Sequence, residues 1–164
     1  MSSVTERVAG AAAMWAAVVG AARAELPTHH DLPLAMAVAI AQGAVESCAG
    51  QGYAVSAVVV DRNGDTVAAV RGDDARAYTM ENARRKAYTA ANFRVATAEY
   101  AKRYADNDPV VRQQVTLPGV IASSGGLPIK LGDEVIGGAG ISGSTGVDER
   151  CAQAGLDRIS DRLR

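Results

Sequence analysis

The residues of this chain that could do chemistry fall in three places. The only imidazoles are His29 and His30, adjacent and just ahead of the first expected helix. Neighbouring side chains diverge, so at most one can reach a given iron; otherwise both are solvated. The second place is cationic: Arg71 at the end of an expected strand, then Arg84, Arg85 and Lys86 on the helix that follows. At about 3.6 residues per turn these last three fan around the helix. Arg71 and Lys86 are expected to face a pocket, with Arg84 on the surface. Together they could hold a small carboxylate, which needs fixed cations or backbone N–H donors. Alternatively the cations form a solvated face paired to Asp73, Asp74 and Glu81. The third place is the glycine-fenced stretch Ser123 to Gly143. Gly125 and Gly126 let a chain pass close to a ligand, or simply make a tight turn, and Pro128 fixes the exit.

Other chemistries are excluded. Without a histidine in the body of the domain, no Ser-His-Asp or Cys-His set can form. No His, Cys and carboxylate spacing resembles a zinc site. Gly138 to Gly143 matches G-x-G-x-x-G, but a dinucleotide site needs a following helix and a second parallel strand, and here one helix closes the chain. A formal net charge of -1 gives no electrostatic footprint for nucleic acid. Any catalysis would have to be carried by a cofactor.

The elements that position these residues can be read from patterning. Asp31 is expected to cap a helix in which Met36, Ile40, Gly43 and Ser47 recur at helical spacing, stopped by Gly50 and Gly52. A Val-rich strand runs from Tyr53 to Asp61, turns at Asn63-Gly64, and returns over Thr66 to Arg71. Thr79 is expected to cap a helix ending near Asn92, and Thr97 a shorter one over Ala98 to Tyr104. Val110 to Pro118 reads as irregular. Val120 to Ala122, Leu127 to Lys130 and Glu134 to Ile141 read as three strands joined by glycine turns. Thr145 with Asp148 resembles a capping box before a last helix carrying Ala152, Leu156, Ile159 and Leu163 on one face. Short turns within each group of strands make the sheet antiparallel, and the fold class α+β.

The first 24 residues are a separate unit. Val8 to Ala22 is uncharged and apolar, and Ala22-Arg23-Ala24 has the A-x-A form of a signal-peptidase site. The expectation is a signal peptide over 1–24 and a single domain over 25–164, placed in the periplasm or secreted. If the segment is retained, it is an Ala-rich helix on a cytoplasmic protein. Cys48 and Cys151 would be buried thiols in the cytoplasm and could form one disulfide after export.

Six segments then occur in one order. They are Val58 to Gly64, Arg71-Gly72-Asp73, Arg85 to Ala90, Pro118-Gly119-Val120, Gly125 to Ile129 and Gly137 to Gly143. Together they resemble the GlcG/HbpS family of heme-binding and heme-degrading proteins, over roughly Leu32 to Leu163. The same domain type is similar to the C-terminal part of PduO-type proteins of corrinoid metabolism. The resemblance implies a profilin-like α-β-α sandwich around a five-stranded antiparallel sheet. It implies a homo-oligomer, a tetramer or octamer, and in some members export, heme binding and redox sensing with a membrane partner. Axial heme ligands are usually His, Met, Cys or Tyr, so His30 is the first candidate and His29 the second, while Met36 fits the core better. Arg71, Lys86, Gly125 and Gly126 would then serve the heme propionates. The function expected is an exported heme-binding protein in heme handling or redox protection. The alternatives are an enzyme or binding protein for a small carboxylate, a carbonyl metabolite or a corrinoid, and a ligand-free accessory or sensor protein.

Overall fold

In a computed structural model, residues 25–163 are described. The signal-like segment 1–24 lies outside them. The elements are α1 (Leu34–Ala49), β1 (Ser56–Asp61), β2 (Thr66–Arg71), α2 (Ala77–Phe93), α3 (Thr97–Ala105), α4 (Pro109–Gln114), β3 (Gly126–Leu131), β4 (Glu134–Ser142) and α5 (Asp148–Asp157), closed by a 3-10 turn over Ser160–Arg162. All strand pairs are antiparallel, in the order β2-β1-β4-β3.

The two central strands are buried, which explains the unbroken Val run in β1. Successive residues of a strand face opposite sides. Ala57 and Val59 join Ile40, Ala44, Ile141 and Ala152 in the core beneath α1 and α5. Val58 and Val60 meet Ala83, Ala87 and Ala91 of α2 on the other side. The result is the α-β-α sandwich expected.

The hairpin is also as expected. Gly64 takes φ 95°, and the Asp61 carboxylate accepts the N–H groups of Asn63 and Asp65.

The sheet has four strands, not five. Val120 to Ala122 does not pair with a strand because α2 takes its backbone groups. Arg85 Nη2 donates to the Val120 carbonyl at 2.6 Å, and the Ile121 N–H donates to Thr89 Oγ1 at 3.0 Å. Val120 itself fills a side core with Tyr100 and Val111.

Several helix starts also differ: Pro33 and not Asp31 precedes α1, Ala96 and not Thr97 precedes α3, and Val147 and not Thr145 precedes α5, none with a side-chain cap. Val111 lies in α4, whose start is fixed by Asp108 accepting the Val110 and Val111 N–H groups, with Pro109 in the first turn. Thr79 is not a cap but sits inside α2, where its hydroxyl meets the Arg76 carbonyl and Ser56 Oγ.

The β4 glycines have a packing reason. A Cβ on Gly138 would fall against the Ala87 carbonyl oxygen, and one on Gly140 against that of Ala83. The alanine stripe of α2 lies directly on β4, so the backbones touch where side chains would normally stand.

Cys48 of α1 and Cys151 of α5 form a disulfide across a sequence separation of 103. A loop that long restricts the unfolded chain strongly. Reduction is expected to lower stability by about 2–5 kcal/mol, read as a fall in the urea midpoint on adding dithiothreitol.

Candidate functional site

The expected site residues divide between two clefts at opposite ends of β4. Glu134 begins the strand and Ile141 lies near its end, roughly 20 Å away at the rise of an extended chain.

At the first end, the lead-in to α1 folds over the β3–β4 turn. Antiparallel pairing of β1 with β4 sets Asp61 opposite Gly137, which brings the β1–β2 turn to the same place. His30 Nδ1 lies 2.7 Å from Glu134 Oε2, and the His30 backbone N–H donates to Oε1 at 3.2 Å. His29 Nδ1 is 3.7 Å from Glu134 Oε1. The hydrogen bond from the His30 ring, then that from its backbone, hold the Glu134 carboxyl below its ordinary range. Glu134 is therefore an ionised, acceptor-only group at neutral pH, and His30 Nδ1 is the donor. That leaves Nε2 as the ring nitrogen turned away from Glu134.

His29, Arg62, Asn63, Arg94 and Glu134 line a cleft of about 260 Å³ here. Among the described residues, Arg62 Nε is buried without a hydrogen-bond partner; Asp31 Oδ1, at 3.7 Å, is too far. Arg94 ends α2 in the left-handed region, φ 58°, a conformation uncommon for a side-chain-bearing residue.

At the second end, Lys86 is buried with 3% of its surface exposed. Its ammonium donates to Asp148 Oδ2 and to the Ile141 carbonyl, both at 2.8 Å. The other Asp148 oxygen accepts from the backbone N–H and hydroxyl of Ser144. Gly125 and Gly126 cover this pair. A Cβ on Gly125, which has φ 115°, would lie 3.0 Å from Lys86 Nζ, and one on Gly126 would lie 2.5 Å from the Lys86 carbonyl. The Gly126 N–H is taken by Thr97 Oγ1, so it is not free for a ligand.

Lys86, Gly125 and Gly126 are thus together, as expected for one site, while the histidines are at the other end. Arg71 joins neither group; it is exposed at the end of edge strand β2. Arg84 is on the surface, paired with Glu81.

Sequence reasoning missed Glu134, Arg62, Arg94 and Asp148. Pairing of the first and last strands would have placed Arg62 beside Glu134. Nothing local marks Asp148 as the partner of a lysine so far along the chain. Among the described residues, no group of three His, Cys, Asp or Glu side chains could hold a metal ion, and no helix is long and apolar enough to cross a membrane.

Comparison with known proteins places this geometry in context. A family model described as "Haem degrading protein HbpS-like" matches residues 32–157. A double mutant of HbpS from Streptomyces reticuli is 32% identical, with a TM-score of 0.75, covering 94% of this chain and 97% of that one. A further HbpS crystal structure is 38% identical, with a TM-score of 0.75, covering 81% and 93% of the two chains. The crystal structure of a PduOC:heme complex is 28% identical, with a TM-score of 0.73, over 79% of this chain and 96% of that one.

Proposed function

Because the chain belongs to the family of haem-degrading HbpS-like proteins, we propose that it binds heme at the histidine end of β4, with His30 as axial ligand. The observation that carries this is the His30–Glu134 bond, which fixes the tautomer and leaves Nε2 as the ligating atom. A carboxylate behind an imidazole also raises its basicity toward a metal. The buried Arg62 Nε lacks an acceptor, and a heme propionate would supply one; Arg94 stands in the lining of the same cleft.

Bound heme would supply the redox and oxygen chemistry of its iron. The chain's own residues do the rest. Glu134 orients His30, Arg62 and Arg94 would hold an acidic edge of the group, and Ala91 and Val135 would give it apolar contact. A cleft of about 260 Å³ takes only an edge of a porphyrin. His30 is two-thirds exposed, with a side-chain accessibility of 68%. A second copy of the chain over this face would shield the remainder, in keeping with a homo-oligomer.

The test is a hemin titration followed by absorption. A sharp, saturable Soret band is expected. His30→Ala should abolish or shift it, and Glu134→Gln should weaken binding by about tenfold or more. A spectrum unchanged by His30→Ala removes that residue as ligand. A free small carboxylate would use the same Arg62 donor; it is distinguished by ligand-induced stabilisation without any Soret band.

We also propose export, with cleavage after Ala24, and a role in heme handling or redox protection alongside a membrane sensor. The Cys48–Cys151 disulfide supports an oxidising compartment. N-terminal sequencing of the protein from its host should begin at Glu25; a chain still starting near Met1 would reject export by this route.

A further inference from the structure

We propose that the cleft at the Lys86 end of β4 binds a small, uncharged polyol or hydroxycarbonyl compound. This site is separate from the heme cleft and goes beyond the heme-binding reading. Tyr78, Asn82 and Lys86 are spaced four residues apart, so they form one stripe along α2. That stripe, with Ser124, Ser142 and the turn through Thr145, encloses about 210 Å³. Ligand pockets are usually apolar with a few polar groups. This one is the reverse: its side chains are hydroxyls, an amide and one ion pair, with the Tyr78 ring as the aromatic element.

Two observations point to a ligand. Ser142 is 5% exposed and lines the cleft. Ile141 faces the α1–α5 core, so Ser142 points to the α2 side, where the cleft lies. Lys86 uses two of its three ammonium protons on Ile141 and Asp148, and the third remains for the cleft it lines.

The charge balance selects the ligand class. Among the described residues, Lys86 and Asp148 are the only charged ones lining the cleft, and they neutralise one another at 2.8 Å. No net positive field is left to hold a carboxylate. Hydroxyls that both donate and accept match a ligand that does the same. The exposed Tyr78 ring can pack against the C–H edge of such a compound.

The test is an amide-resolved NMR titration with erythritol and with erythronate, its carboxylate counterpart. Erythritol should shift the Ser142 to Gly146 amides saturably, and erythronate should bind more weakly. Ser142→Ala and Asn82→Leu should each reduce erythritol affinity about fivefold to tenfold, the loss of one hydrogen bond. Both variants should keep the wild-type melting temperature and hemin response. Absence of saturable shifts with either compound, tighter binding of erythronate, or affinity untouched by both variants would overturn the proposal. Hemin binding is read by absorption at the other cleft, so either idea can fail without the other.

Discussion

Gly140→Ala is expected to destabilise the protein by about 4 kcal/mol or more, among the largest effects a single methyl group can have. The added Cβ would fall against the Ala83 carbonyl and the Ala87 N, and that position against a helix backbone cannot be relieved by a rotamer change. Either α2 lifts from the sheet or β4 bends away from β1. Gly132→Ala is the matched control. Its Cβ meets nothing within 4 Å, so only the left-handed backbone, φ 58°, is penalised, at about 1–2 kcal/mol. Urea unfolding of the two variants measures the difference. Equal midpoints would mean that α2 does not rest on β4 as described.

Lys86→Met should be nearly as damaging, at about 3–5 kcal/mol, because it leaves the Asp148 carboxylate buried without its counter-ion. From sequence alone, removal of Lys86 is expected to weaken an anionic ligand and spare the fold; its burial reverses that expectation. Pairing Lys86→Met with Asp148→Asn removes both charges and keeps an oxygen for the Ser144 N–H. The double variant should therefore be more stable than Lys86→Met alone. Its cycle should show strong coupling, whereas additive losses would mean that the two groups do not interact.

What was legible in the sequence was whatever local chemistry decides. Asn63-Gly64 specifies its hairpin because few other pairs adopt those angles cheaply. Met36, Ile40 and Gly43 mark the buried face of α1 because burial follows the helical period. The short run at Val120 misleads because its strand-like residues say nothing of who takes their backbone groups. Arg85 and Thr89 do so from another element. The β4 glycines signalled a close approach, but the approaching body is the α2 backbone and not a ligand. His29 and His30 stood out as the only imidazoles. Glu134, which gives His30 its direction, is distant by 104 residues and visible only once the strands are paired. Lys86 was singled out for its charge, and the structure shows that charge to be matched by Asp148.

The Cys48–Cys151 link encloses every strand of the sheet, as well as α2, α3 and α4, in one covalent ring. A protease that cuts once in any loop of that ring produces an open chain of unchanged mass apart from one water. The two pieces stay joined, so a nicked molecule migrates as a single band until it is reduced. Proteolytic mapping of this domain therefore has to be read on reducing gels.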